Sequence, residues 1–343
     1  MNRRQFARML GGATGGAWLA GCQSNKGITG RTENVVAKEV IYPEKLKYGS
    51  TIGLIAPASF ASEEKVDRAI KNLSELGLKV IEGNYLREKN GFVAGTDEQR
   101  LEDLHNMFED PGIDGIWCVR GGYGAGRLLD NIDYDLVRKN PKVFIGYSDI
   151  TSLVNAFFYK SGLICFHGPV ASSKFTYYTS LYLNRALFDP GFTFTVLPNR
   201  DYDEGGEVYT VLKPGEAEGI MVGGNLSLLA SMCGTGFLPD FKDKIVFIED
   251  IGESSYRVDR MIVQLRQATN IDLASALIFG NFTNCKAENG DQTVEEVITN
   301  QFKELACPQV MGYSIGHIDN HCTIPVGINA NFRSKDGLIR FKA

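Results

Sequence analysis

Phe144-Ile145-Gly146-Tyr147-Ser148-Asp149-Ile150-Thr151 sets a serine where an apolar, strand-like run gives way to helix-forming sequence. A serine on a sharp strand-to-helix turn projects its hydroxyl from the sheet edge. The helix N-terminus behind it offers free N–H groups and positive potential to a developing oxyanion. Ile150 stands where a GxSxG elbow has its second glycine, so this motif alone equally suits Ser148 and Asp149 capping the helix. Val119-Arg120-Gly121-Gly122-Tyr123-Gly124-Ala125-Gly126-Arg127 also follows a strand and opens a helix. Its glycines let backbone approach a ligand and expose N–H groups. The spacing is not GxGxxG and the loop is not in the first βα unit, so an oxyanion loop beside the serine fits better than a dinucleotide cradle, and no cofactor is expected.

A hydroxyl nucleophile needs a base, and four histidines are available. His105 falls on an amphipathic helix and reads as a packing residue. His167, in CFHGP, ends a strand close to the serine unit and competes for the role. His317 and His321 lie in Tyr313-Ser314-Ile315-Gly316-His317-Ile318-Asp319-Asn320-His321-Cys322, just after a strand. His-x3-His brings two rings together only on a helix, and Gly316 with Asp319-Asn320 argues for a loop, so no metal is expected. Phe247-Ile248-Glu249-Asp250 ends another strand and places carboxylates at the edge where ligands of α/β sheets gather. Glu253 and Asp259 follow, and any one of these acids alone reads as a cap or a solvated residue.

The elements that must carry these residues alternate short apolar runs with amphipathic ones, the pattern of strands and helices around a mostly parallel sheet. Strands are expected at 51–59, LKVIEG, 115–121, 143–148 and LICFHGP, with helices at 63–76, 97–108 and 149–159. A second unit is expected from 214, with strands at 244–250 and 276–282, helices near 226–232, 254–267 and 294–305, and a strand in PQVMGYS. Between 172 and 213 the pattern dissolves into Tyr, Thr, Asn, Asp and Gly, which reads as a connection. The resulting division is a nucleophile-bearing α/β domain at 46–190, a linker at 191–213 and a C-terminal domain at 214–340.

With 343 residues, 43% of them hydrophobic, the chain is long enough for two packed domains. A net charge of -5 without long runs of one sign excludes the basic footprint of a nucleic-acid binder. The first 22 residues differ in kind. Asn2-Arg3-Arg4-Gln5-Phe6-Ala7-Arg8 is similar to a twin-arginine export signal, and the weakly apolar run that follows ends in Leu19-Ala20-Gly21-Cys22, similar to a lipobox. Cleavage before Cys22 and diacylation would anchor the protein to a membrane by lipid. Residues 23–45 are polar and suit a tether, and Gln23 favours the outer membrane. Six cysteines remain; Cys118 and Cys165 sit in apolar strands as small hydrophobes, and no CxxC occurs.

Taken in order, APAS (56–59), RGGYGAGR (120–127), GYSDIT (146–151), GGNLSLL (223–229), FIEDIGESSYRVDRM (247–261) and GHIDNHCTIPVG (316–327) resemble the LD-carboxypeptidase family, which includes the microcin C immunity peptidases. The resemblance covers roughly residues 45–340. It implies a flavodoxin-like N-terminal domain with a parallel sheet and a smaller, swivelling-type C-terminal α/β domain. It further implies a serine peptidase with Ser148 as nucleophile, Glu249 as the triad acid and His317 as the base. The backbone N–H groups of Asp149 and of Gly122, or of neighbouring Gly121, would form the oxyanion hole. The implied substrate is a peptidoglycan tetrapeptide cut before its terminal D-Ala, whose carboxylate Arg120, Arg127 or Arg257 would bind. Export departs from the cytoplasmic members that recycle cell wall, which leaves open a peptide antibiotic as substrate or a catalytically silent periplasmic lipoprotein that binds peptidoglycan fragments. The partners expected are therefore a peptide, a membrane through the lipid, no nucleic acid, and a second copy of the chain in a homodimer.

Overall fold

The computed structural model describes residues 39–199, 208–288 and 290–343, all within one compact unit. The segment expected to be an export signal, with Cys22, and the expected tether as far as residue 38 lie outside the described residues.

Strands β1 (Thr51–Ile55), β2 (Lys79–Glu82), β3 (Gly115–Cys118), β4 (Val143–Gly146) and β5 (Cys165–His167) run parallel in the order β2-β1-β3-β4-β5. This is the flavodoxin-like order, whose ligands gather beyond the carboxyl ends of the strands. The segments TIGLI, GIWC and VFIG are buried almost throughout. Parallel strands covered by helices on both faces require such unbroken apolar runs. The helix Glu63–Glu75 buries Val66, Ala69 and Leu73 on one stripe, and the helix Asp97–Glu109 opens with a reciprocal cap between Thr96 and Gln99.

The second sheet contains β6 (Thr195–Val196), β7 (Thr210–Lys213), β8 (Glu216–Asn225), β9 (Lys244–Ile251), β10 (Ala276–Thr283) and β11 (Gln309–Met311). One strand, β12 (Ile324–Val326), departs from it, and β13 (Asn329–Arg333) and β14 (Leu338–Lys342) return as a hairpin. The order is β6-β14-β13-β8-β9-β10-β11-β7, with a parallel centre from β8 to β11 and antiparallel flanks.

Three expectations about organisation change. Residues 172–213 are more than a connection: they contain the helix Tyr177–Leu187 and two strands that close opposite edges of the second sheet. The helix hides in a Tyr- and Thr-rich sequence of weak propensity, and strands of two and four residues are too short to show alternation. The C-terminal half is not self-contained either, because β12 pairs antiparallel with β5 in the first sheet. Finally, the end of the expected tether is packed: Ile41 bridges to Leu163, and its N donates to Gly162 O at 2.8 Å.

Candidate active site

Ser148 follows β4 directly and has a φ of 64°, one of three non-glycine residues with positive φ among the described residues. A side chain rarely adopts this left-handed region, and the strain marks a turn held open by its surroundings. A short 3-10 turn, Ser148–Ile150, then runs into the helix Thr151–Ser161. The missing second glycine of the elbow has a local explanation. A Cβ built on Gly146 would stand 2.9 Å from Ile150 Cγ2 and 3.1 Å from its Cβ, so the room given up by the first glycine is filled by Ile150.

The glycine-rich loop after β3 lies against this turn. A Cβ at Gly121 would come within 3.1 Å of both Ser148 Oγ and Asp149 N. A glycine there leaves the space between hydroxyl and amide into which a carbonyl oxygen could enter. Gly122, at φ 114°, is pressed against Ser59 instead. Three ties hold the loop. Tyr123 N donates to Ser59 Oγ at 3.0 Å, Ala125 N donates to Asp149 Oδ2 at 2.7 Å, and Arg100 Nη1 donates to Gly124 O at 2.9 Å and to Pro57 O. Asp149 is buried; burial pushes its carboxyl above the usual range, and the Ala125 N–H and the Arg100 charge oppose that. Its side chain thus positions the loop, while its amide faces the space beside Ser148.

Glu249 is wholly buried on the central strand β9, and its Oε2 lies 2.8 Å from His317 Nδ1. With Nδ1 engaged, Nε2 is the nitrogen that His317 can present to a substrate. The 316–322 loop that carries the ring is braced throughout. Asn281 N donates to Ile315 O at 2.9 Å, Thr283 Oγ1 donates to His317 O at 3.1 Å, and His321 Nδ1 lies 2.6 Å from Gly316 O. The pairing of β9 with β10 shifts register between Phe279 and Phe282, which re-aims the backbone at Asn281 toward this loop. Gly316, at φ 122°, could not carry a side chain, since its Cβ would stand 2.9 Å from Glu249 Oε2. The neighbouring acids do other work. Asp250 accepts from Asn225 Nδ2, Ser227 N and Ser227 Oγ, Glu253 faces Arg257, and Asp259 accepts from Gln301.

Ser148 and His317 line one cleft of about 650 Å³, together with Arg120, Gly121, Gly122 and Tyr147. The ring of Tyr147 lies 4.8 Å from that of His317. His167 is fully buried outside this lining; its Nε2 is 4.0 Å from Glu249 Oε1 and its ring stacks on His321 at 5.3 Å. Burial, reinforced by the other two histidines, holds its basicity well below the ordinary value. It therefore sits behind the carboxylate, on the side away from the cleft. His105 accepts from Asp133 N, in a packing role.

Of the three arginines expected at a substrate carboxylate, only Arg120 lines the cleft. Arg127 pairs with Asp97 at 2.8 Å, and Arg257 lies over Tyr256 beside Glu253. A nearer carboxylate captures each. Lys65 and Arg68 line the cleft unanticipated, because on the helix Glu63–Glu75 they read as solvated charges. Among the described residues no group of three or more His, Cys, Asp or Glu could hold a metal ion.

Residues 52–168 match the LD-carboxypeptidase N-terminal domain and residues 218–332 the LD-carboxypeptidase C-terminal domain. The chain is 40% identical over 290 residues to a probable murein peptide carboxypeptidase of Bacillus subtilis (strain 168), covering 84% of this chain and 90% of the relative. It is 33% identical over 288 residues to a murein tetrapeptide carboxypeptidase of Pseudomonas aeruginosa, covering 81% and 92%. The crystal structure of a muramoyltetrapeptide carboxypeptidase from Oxalobacter formigenes superposes with a TM-score of 0.74 at 30% identity, over 85% of this chain and 98% of that one. With both domains matched and the relatives spanned almost end to end, the chain belongs to the LD-carboxypeptidase family and is a carboxypeptidase.

Proposed function

We propose that Ser148, His317 and Glu249 form a catalytic triad that hydrolyses the bond between the L-centre of a diamino acid and the terminal D-Ala of a peptidoglycan tetrapeptide. The observation that carries the reading is the 2.8 Å contact of buried Glu249 with His317, in the same cleft as a serine held at φ 64° beside a cradle that only a glycine leaves open. His317 Nε2 takes the proton from Ser148 Oγ as the hydroxyl attacks the scissile carbonyl. The oxyanion that forms is met by Asp149 N–H and the glycine-loop amides. The tetrahedral intermediate collapses with cleavage of the C–N bond, and His317 delivers its proton to the departing amine of D-Ala. Water, activated by the same imidazole, then hydrolyses the acyl-serine. Glu249 fixes the tautomer and stabilises the imidazolium. Arg120, tied by Nε to Gly121 O and by Nη1 to Phe60 O, keeps Nη2 for the terminal carboxylate.

Incubation with a disaccharide tetrapeptide should release D-Ala from the wild type. Ser148→Ala and His317→Ala should lower kcat at least 1000-fold, roughly the scale of triad removal, while melting normally. Full activity in either variant would sink the triad.

The paired arginines at 3–4 and Leu19-Ala20-Gly21-Cys22 support a further reading, that the chain is exported and anchored by lipid on Cys22, with its cleft facing periplasmic murein. Incorporation of labelled fatty acid, abolished by Cys22→Ser, is the result expected.

A further inference from the structure

Resting on the peptidase reading, we infer that His167 is a positioning residue for the triad: its Nε2–H is the donor for the Glu249 oxygen that His317 leaves free, and it ties the acid to the sheet that carries the nucleophile. Glu249 is wholly buried, and while its Oε2 meets His317 Nδ1 at 2.8 Å, its Oε1 has no hydrogen-bond partner among the described residues. A carboxylate oxygen out of reach of water is costly unless a donor faces it, and a carboxylate held by one oxygen alone is free to turn. Few donors are near. His321 is excluded by its tautomer: Nδ1 lies 2.6 Å from Gly316 O, a carbonyl only accepts, and so in the neutral ring Nδ1 carries the proton and Nε2 is bare. Tyr147 turns its hydroxyl to Ser173, and Phe247 offers only ring carbon. What remains is His167 Nε2, itself buried and unpartnered, 4.0 Å from Glu249 Oε1.

The place of His167 in the fold suits the task. It is the last residue of β5, in register with Gly146 of β4 on one side and Ile324 of β12 on the other, so neighbouring strands fix its backbone. Gly146 stands two residues before Ser148, whereas Glu249 lies on β9 of the second sheet. The contact therefore spans the two sheets and links acid to nucleophile. The groups that face the ring are Glu249 and Phe247 from β9, His317 and His321 from the 316–322 loop, and Tyr147 from the nucleophile turn. Burial and the two other imidazoles hold the basicity of His167 down, so the ring is neutral, and a neutral ring that faces a carboxylate carries its one proton on the facing nitrogen. The 4.0 Å separation is about 1 Å longer than a hydrogen bond. Catalytic contacts of this kind are often long before substrate binds and tighten in the Michaelis complex, when positive charge develops on the base.

The test joins pH-dependent kinetics of the full-length protein with the ring's own spectrum. His167→Leu should lower kcat about tenfold while KM stays within about twofold, since the acid loses its orientation and the cleft lining is untouched. The acid limb of kcat/KM should also move upward by about 0.5 pH unit or more, because a carboxylate without that donor keeps the proton on His317 more firmly. His167→Gln, whose side-chain amide reaches the position of the ring Nε2, should bring kcat back to within about threefold and restore the limb. His167→Asn, one bond shorter, should not. Glutamine no better than leucine, or a leucine variant with the wild-type kcat and limb, would overturn the role. Nitrogen-15 NMR of the wild type should show the His167 ring neutral at pH 7 with its proton on Nε2; a bare Nε2 would overturn it even where every variant misfolds. D-Ala release by the wild type is measured alongside: its absence would remove the peptidase reading, and the hold on Glu249 would then stand or fall with the ring spectrum.

Discussion

Gly121 shows how much of this site consists of space left empty. Its backbone is not in the left-handed region, so alanine is conformationally tolerable there, yet the added methyl would stand 2.9 Å from Ser148 Cβ and 3.1 Å from both Ser148 Oγ and Asp149 N. Gly121→Ala should therefore displace the nucleophile turn and lower kcat by about 100-fold or more, as when an oxyanion donor is lost. Retention of kcat would mean that the carbonyl oxygen enters elsewhere. At single residues the sequence narrowed the choice without closing it: Ser148 could have capped its helix, Glu249 read like any acid after a strand, and His167 competed with His317, so that the three were joined only by the family resemblance. Lys65, Arg68 and the ties from Ser59 and Arg100 were not legible as parts of the site. A helical lysine facing a cleft and one facing solvent have the same sequence pattern, and only the packing of that helix beside the loop at 120–124 tells them apart.

At the scale of elements, the helix behind the nucleophile is keyed to the sheet that carries the acid. Asn225 N donates to Thr151 Oγ1 at 3.0 Å, and Asn155 Nδ2 donates both to Thr151 O at 2.8 Å and to Gly223 O at 2.9 Å, all buried. Asn225 lies opposite Glu249 in the pairing of β8 with β9, so this seam sets the distance between the serine and its partners. Asn155→Leu removes the side-chain donor to Gly223 O across this seam, while Thr151 O keeps its helical partner, which should cost about 1–3 kcal/mol. If the seam positions the triad, kcat/KM should also fall about tenfold, although the substituted residue touches neither substrate nor triad. A urea melt paired with steady-state kinetics decides: lost stability with unchanged kcat/KM would show that the seam only holds the fold together. Periodicity revealed the strands and helices on either side of this seam, because they are long or wholly apolar. It did not reveal β12, three residues that leave one sheet for the edge of another, since pairing between distant segments leaves no local trace.

For the molecule as a whole, two buried histidines, His321 in the cleft lining and His167 behind Glu249, make stability depend on acid. Burial holds the basicity of His321 down to about 4 and that of His167 well below its ordinary value; Tyr147 and Phe247 pack against the rings, His317 lowers both further, and Glu249 Oε1 lies 4.0 Å from His167 Nε2. The unfolded chain takes up these protons at the usual value near 6.5, whereas the folded chain resists them. Above that pH the contribution to stability is complete; below it the unfolded state binds more protons and stability drains away, until His321 itself titrates in the folded protein. Buried Asp103, Asp149 and Asp250 act in the opposite sense, because burial raises their carboxyls, and they offset part of the loss as pH falls. Between pH 6.5 and 5 each histidine should lower the unfolding free energy by roughly 1 kcal/mol per unit, a share that removal of one ring isolates from the carboxylates. His167 has no hydrogen-bond partner on either ring nitrogen among the described residues. His167→Leu, similar in volume, should therefore keep the fold and about halve that slope, read from urea midpoints at pH 7, 6 and 5.5. An unchanged slope would assign the acid sensitivity to other groups.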